Sequence, residues 1–258
     1  MVLLMKIGIC AGIDRLAAAE KIGFDYIEFN AAWLYGLSEE EYVEVKKTVS
    51  ESGIKPECFN VLLKSDLKII GENRDLAELK NYLRPLFKRV SEIGGTAVVF
   101  GSGAVRRCSE GYDAEKAYAE LVEATIVIGQ VAADFGITIC VEPLNRSETN
   151  MINSLCEGAR LVTDVNLENV LLLADFYHMR KENEPISEAE VYGKILKHTH
   201  IARCEGRTFP LFESEDAYME FISALKNAGY SERISIEGVT ENWEKDAADS
   251  LAFLRGII

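Results

Sequence analysis

Four residues of this chain share a chemical type and a local setting. Glu142, Asp175, His200 and Glu237 each close a short apolar run, most plainly where Val170-Leu171-Leu172-Leu173-Ala174 leads into Asp175. Three carboxylates and one imidazole make an oxygen-rich donor set with one nitrogen. Such a set suits Mn²⁺ best, Mg²⁺ or Co²⁺ nearly as well, and Zn²⁺ less naturally. Each acid taken alone reads more simply as a surface or salt-bridge residue. Together they are harder to dismiss, because like charges gathered in a low-dielectric site cannot all ionise. One divalent cation resolves that conflict. Histidine usage points the same way. The chain has three, His178, His198 and His200, all close to Asp175 or within the run that follows it. In His198-Thr199-His200, strand alternation puts both imidazoles on one face with Thr199 opposite. His200 lies nearer the end of its run and is assigned to the cation. His198 then belongs a layer below, as support or core.

Elements must hold these residues in place, and the hydrophobic pattern supplies them. Apolar β-type runs are predicted at Lys6–Ala11, Tyr26–Phe29, Lys55–Val61, Ala97–Phe100, Ile137–Glu142, Val170–Asp175, His198–Ala202 and Ile234–Gly238. Longer amphipathic stretches separate them. Ser38 with Glu41 and Ser187 with Glu190 have capping-box spacing. Asp14, Asp113, Asn153 and Ser214 are further N-cap candidates. Gly23, Gly53, Gly94, Gly136 and Gly229 mark helix exits. Nearly continuous apolar strands suit a parallel sheet buried on both faces. Eight βα units in 258 residues match an α/β fold of the (β/α)8 barrel type, one domain over residues 1–258. The rival open doubly wound sheet normally carries a G-x-G-x-x-G turn after an early strand, and none follows the first strand here. In a barrel the C-terminal strand ends face the active site. Those ends carry Glu28, Asn60, Gly101-Ser102-Gly103, Glu142, Asp175, His200 and Glu237, with the four metal-capable residues on four consecutive strands.

The motifs around these ends are familiar in type and order. Val141-Glu142-Pro143-Leu144-Asn145-Arg146-Ser147-Glu148-Thr149-Asn150 resembles the E-x-L-N-R-x-E-T segment of the xylose isomerase-like TIM-barrel family. Asp175-Phe176-Tyr177-His178-Met179 resembles its D-x-x-H-M segment, His198-Thr199-His200-Ile201-Ala202 its H-x-H segment, and Ser235-Ile236-Glu237-Gly238 its last-strand glutamate. Phe100-Gly101-Ser102-Gly103 followed by Arg106-Arg107 extends the likeness. That family holds sugar phosphate isomerases and epimerases, enzymes of the D-tagatose and D-psicose 3-epimerase type, and hydroxypyruvate isomerase. The resemblance implies a metal held by Glu142, Asp175, His200 and Glu237, and substrate contacts from Glu148 and His178. It also implies an arginine six residues after the metal-binding histidine. Gly206 stands there, so a one-residue shift makes Arg207 the candidate, with Arg203 in reserve.

The chemistry such a set performs is proton removal from a carbon beside a carbonyl. A divalent ion bridging the carbonyl oxygen and a neighbouring hydroxyl stabilises the enediolate. Two carboxylates on opposite sides of the carbon serve as base and acid. Glu142 and Glu237, from strands five and eight, fit those roles. Return of the proton to the other face of the same carbon is epimerisation, and return to the neighbouring carbon is aldose–ketose isomerisation. His178 and Arg207 would hold substrate oxygens. Trp33, after strand two, offers an apolar wall, or simply packs the barrel mouth. Gly101-Ser102-Gly103 with Arg106 and Arg107 could cradle a phosphate; a turn with a surface basic pair is the plainer account. The expectation is a sugar or sugar phosphate isomerase or epimerase, ketose 3-epimerase-like above all. A dehydratase acting on inosose-type cyclitols uses a similar centre and is the alternative. A DNA-repair enzyme of the endonuclease IV type shares the barrel, but its trinuclear zinc cluster requires more histidines than this chain has.

Charge agrees. The chain has 28 Lys and Arg against 42 Asp and Glu, a net charge of −14, which disfavours a bulk grip on nucleic acid. No apolar run approaches the roughly 20 residues of a membrane span. The opening MVLLMKIGIC lacks the basic and cleavage regions of a signal peptide and reads as a first strand. Six cysteines without a C-x-x-C pair read as reduced thiols of a cytoplasmic protein. The expected partner is a small-molecule sugar, with no nucleic acid and no membrane. The resemblance allows a homo-oligomer.

Overall fold

Eight parallel strands are the scaffold in the computed structural model, which describes residues 5–258. They are β1 (Lys6–Cys10), β2 (Tyr26–Asn30), β3 (Pro56–Asn60), β4 (Ala97–Phe100), β5 (Thr138–Val141), β6 (Val170–Asp175), β7 (Leu196–Ile201) and β8 (Arg233–Ile236). They pair in chain order, and β8 closes on β1. All eight predicted strands are present, with ends shifted by at most two residues. The residues that open the chain before Met5 lie outside the described residues. Among the described residues no helix is long and apolar enough to cross a membrane.

Period-two alternation assigns the interior. Tyr26, Cys58, Ala97, Val99, Cys140 and Leu173 form a buried cluster inside the barrel, separate from the larger core between strands and helices. Two positions further along β2, β3, β5 and β6 come Glu28, Asn60, Glu142 and Asp175. On β7 the same step runs from His198 to His200, and on β8 from Ser235 to Glu237. On these six strands an inward residue of the lower layer is thus followed by one at the mouth. Gly8 completes the plug by omission, since a Cβ there would sit 2.3 Å from the Tyr26 ring.

The helix signals hold in part. Ser38 and Glu41 form the full capping box of the helix Glu39–Glu51, and Asp113 caps Ala114–Ala133 through Lys116 N. Ser187 makes no side-chain cap. Asp14 and Ser214 fall inside short 3-10 turns. Ser154, not Asn153, caps Leu155–Val165; the Asn153 amide donates instead to the Leu144 and Thr149 carbonyls. Two carbonyls of the preceding loop, four and nine residues away, overrode capping chemistry in that case. Gly23, Gly94, Gly136 and Gly229 take left-handed conformations at helix exits, and Gly53 is not among the positive-φ residues.

Candidate active site and metal centre

The four strand-end residues converge at one point. Glu142, Asp175, His200 and Glu237 each bring a ligand atom within 4.8 Å of the others. Glu142, Asp175 and His200 are buried, and Glu237 is nearly so. His200 Nδ1 faces the acids, 3.1 Å from Glu142 Oε1, 3.3 Å from Glu237 Oε2 and 3.8 Å from Asp175 Oδ2. Its other nitrogen, Nε2, lies 3.1 Å from Glu28 Oε1. Asp175 also caps the helix Phe176–Lys181 through His178 N, so the local turn that ends β6 holds its carboxylate.

The electrostatics of this cluster are those of a donor set that wants positive charge at its centre. Burial pushes the Glu142 carboxyl above its usual range; His200 opposes this, and Glu237 and Asp175 add to it. Burial would raise Glu237 as well, but His200 and Arg207 hold it at about 2. Burial disfavours a charged His200, yet Glu28 and Glu237 outweigh it and hold that imidazole well above its ordinary pKa. Three acids around one imidazole draw it into supplying the compensating charge. The residues present therefore fit a divalent cation, by donor type and by convergence.

The layer beneath supports this one. The Glu28 carboxylate lies 2.7 Å from His198 Nε2, accepts from Ser235 Oγ at 2.6 Å, and is itself buried. His198 sits under His200, as alternation requires, with ring centroids 4.9 Å apart. Burial lowers the His198 pKa. Sequence reasoning placed Glu28 at a strand end and gave it no role. The signal was present: it shares inward parity with Tyr26, in a run otherwise apolar.

Of the expected substrate-facing residues, Arg207 reaches the centre. Its Nη2 lies 2.6 Å from Glu237 Oε2, its Nη1 3.4 Å from Glu148 Oε1, and its guanidinium stacks over Tyr177 at 4.7 Å. Gly206 and Arg207 are both left-handed, a double turn that carries the side chain back over the mouth. Arg203 pairs with Glu205 instead, so Arg207 is the arginine at the site. His178 is buried beside Asp175, with Nε2 3.7 Å from Asp175 Oδ2. Glu237 also accepts from Asn60 Nδ2 at 2.8 Å. Two lobes of cavity flank that bond. One of about 390 Å³ is lined by Cys10, Asp14, Asn30, Trp33 and Glu28. The other, about 220 Å³, is lined by Gly101, Gly103, Glu142, Glu148 and Arg207. Trp33 lines the first lobe and packs edge-on against Phe29.

The Arg106 guanidinium is taken up by backbone carbonyls and is not free to cradle a phosphate. Arg106 is fully buried and donates to the Phe100 and Glu142 carbonyls at 3.0 and 2.5 Å. It ties the ends of β4 and β5 together, and is no surface residue either. Arg107 is exposed and donates to the Ser147 carbonyl. The glycines answer to close approach: a Cβ on Gly101 would meet Glu142 Oε2 at 2.1 Å, and one on Gly103 the Glu148 carbonyl oxygen at 2.9 Å.

Known proteins resemble this chain over most of its length. The family described as xylose isomerase-like TIM barrel matches residues 16–257. A 3-dehydro-D-guloside 4-epimerase of Escherichia coli (strain K12) is 28% identical over 94% of this chain and 94% of its own length. A D-psicose 3-epimerase of Agrobacterium fabrum (strain C58) is 28% identical over 76% of this chain and 68% of its own. A solved D-psicose 3-epimerase structure, obtained in the presence of D-fructose, superposes with a TM-score of 0.86 at 24% identity, covering 98% and 99% of the two chains.

Proposed function

This chain belongs to the xylose isomerase-like TIM barrel family, and we propose that it is a divalent-metal-dependent sugar epimerase, ketose 3-epimerase-like. The observation that carries the proposal is the convergence of Glu142, Asp175, His200 and Glu237 within 4.8 Å at the barrel mouth. Glu142, Asp175, His200 and Glu237 would hold the cation, with Mn²⁺ the best match and Mg²⁺, Co²⁺ or Zn²⁺ usable. When bound, it would supply Lewis acidity to oxygens on and beside the reacting carbonyl. The remaining work falls to side chains. Glu142 comes from β5 and Glu237 from β8, on well-separated strands of the closed barrel, so one carboxylate can take the carbon-bound proton and the other return it to the opposite face. Arg207 steers Glu237 and spans to Glu148, leaving Glu148 and His178 to bind substrate hydroxyls. Trp33 would shield an apolar face of the sugar. The two relatives named for 3- and 4-epimerisation favour epimerisation over aldose–ketose isomerisation. A neutral sugar suits the cavity better than a sugar phosphate. Among the described residues, Arg207 is the one Lys or Arg lining the two lobes, against Asp14, Glu28, Glu142, Glu148 and Glu237, and it is already paired.

The test is isotopic. With Mn²⁺ in D₂O, wild-type protein should epimerise a free ketose or a keto-glycoside and take up deuterium at the inverted carbon. Glu142→Gln and Glu237→Gln should keep the circular dichroism of the fold and lose that uptake. Near-normal turnover in either variant would overturn the two-carboxylate scheme.

A further inference from the structure

Asn145 is absent from the roles above, yet it touches two of the residues that face substrate. It is buried, in the segment after β5. Its Oδ1 accepts from Ser147 N at 3.0 Å and from the Ser147 hydroxyl. A backbone N–H can only donate, so the orientation of the amide is decided: Oδ1 faces Ser147 and Nδ2 faces the site. The two Nδ2 hydrogens then have two acceptors, His178 Nδ1 at 2.9 Å and Glu148 Oε1 at 3.1 Å. The backbone N–H of Asn145 also donates to His178 Nδ1, at 3.0 Å. One imidazole nitrogen thus receives two donors and has no room for a proton of its own. The hydrogen must sit on the other nitrogen, since the partner of one ring nitrogen sets the state of the other. That nitrogen, Nε2, is buried, 3.7 Å from Asp175 Oδ2, and has no hydrogen-bond partner among the described residues.

We propose that Asn145 is a positioning residue that locks His178 as the Nε2–H tautomer and aims Glu148, so that the pair presents one fixed donor and one fixed acceptor to adjacent substrate oxygens. His178 is then a standing hydrogen-bond donor. An unsatisfied buried donor is costly, and a substrate hydroxyl or carbonyl oxygen at Nε2 relieves that cost. The same contact rejects a ligand lacking oxygen there. The proposal rests on the reading that this mouth binds sugar, but its core is a statement about one imidazole and can be tested without turnover.

Three histidines make the spectroscopy simple. In full-length protein labelled with ¹⁵N-histidine, with and without Mg²⁺, long-range ¹H–¹⁵N spectra report which nitrogen of each ring is protonated, and His178→Gln assigns the signal. Wild type should show His178 with a proton on Nε2 and a bare, hydrogen-bonded Nδ1. A proton on Nδ1 in wild type overturns the proposal, whether or not any variant folds. Asn145→Asp replaces the side-chain donor with a carboxylate oxygen, which favours a proton on Nδ1 against the backbone N–H that remains, and should deplete the bare Nδ1 signal. Asn145→Ala retains the backbone donor, so it should keep the tautomer and release Glu148. Where turnover on a sugar is found, both variants should lose roughly ten- to hundredfold in kcat/KM, the scale of a hydrogen bond to a charged group, with unaltered Mn²⁺ affinity. Unchanged kcat/KM in both overturns the positioning role. Absence of turnover on every sugar, with the Nε2–H tautomer observed, counts against the epimerase reading and leaves the tautomer lock standing.

Discussion

Removal of the Glu28 charge should weaken cation binding without disturbing the barrel. Glu28 lies beneath the four donors and contributes none of them. Its carboxylate takes His200 Nε2 at 3.1 Å, His198 Nε2 at 2.7 Å and the Ser235 hydroxyl at 2.6 Å. A proton held on His200 Nε2 would leave Nδ1 as the atom that meets a cation beside Glu142, Asp175 and Glu237. In Glu28→Gln the side chain keeps its size but turns one acceptor into a donor. One of the three contacts then faces an N–H. A hydrogen bond to a charged group is worth about 1.5–3 kcal/mol, and outer partners of metal-binding histidines typically govern about 10- to 100-fold in affinity. Titration calorimetry with MnCl₂ at fixed pH should therefore give a Kd raised about 10- to 100-fold, with circular dichroism unchanged. Glu57→Gln is the control. Glu57 sits at the opposite end of the barrel, paired with Lys6 and Arg233, and its loss should leave the Mn²⁺ Kd alone. A Glu28→Gln Kd within about threefold of wild type would refute the reasoning, because the imidazole would then need no anchoring carboxylate.

Two further outcomes are expected. Mn²⁺ at about 100 times its Kd should stabilise the fold by about 2.7 kcal/mol, which for a chain of this size raises Tm by about 5–10 °C; scanning calorimetry with and without EDTA checks it, and an unmoved Tm would argue against a cation site. Glu184, half-buried with its carboxylate on Leu155 N, has its pKa pushed from 4.5 to about 7, chiefly by burial. Between those values the native state holds a proton that the unfolded chain has lost, so stability falls as pH rises. Glu184→Gln should flatten that slope in urea titrations between pH 4.5 and 7, and an unchanged slope would exclude Glu184 as its source.

Several features lie within a few residues of their cause and are legible in the sequence. Apolar runs of strand length mark β1 to β8, and the strand ends name the four converging residues. His198-Thr199-His200 discloses by alternation alone which imidazole lies above the other. Capping is less secure: Ser38 and Asp113 cap as their spacing implies, while Ser187 and Asn153 do not. A cap is worth about 1 kcal/mol, and a buried amide with two carbonyls to satisfy outbids it, as at Asn153. Arg106 is the larger surprise. Beside glycines and a second arginine it has the composition of an anion site, but the carbonyls of Phe100 and Glu142 claim its guanidinium.

The sequence by itself determined the period-two pattern, the eight strands and the inward parity of Glu28, Glu142, Asp175, His200 and Glu237. Only the tertiary structure decided what each inward side chain meets. Glu28 finds His198 and His200, 170 and 172 residues away, Asn145 finds His178, and Arg207 turns to Glu237. The physical reason lies in closure. Alternation is a property of one strand's backbone and repeats along it, whereas a partner across the barrel depends on register, tilt and the turn of a distant loop, none of which is encoded near the residue it serves.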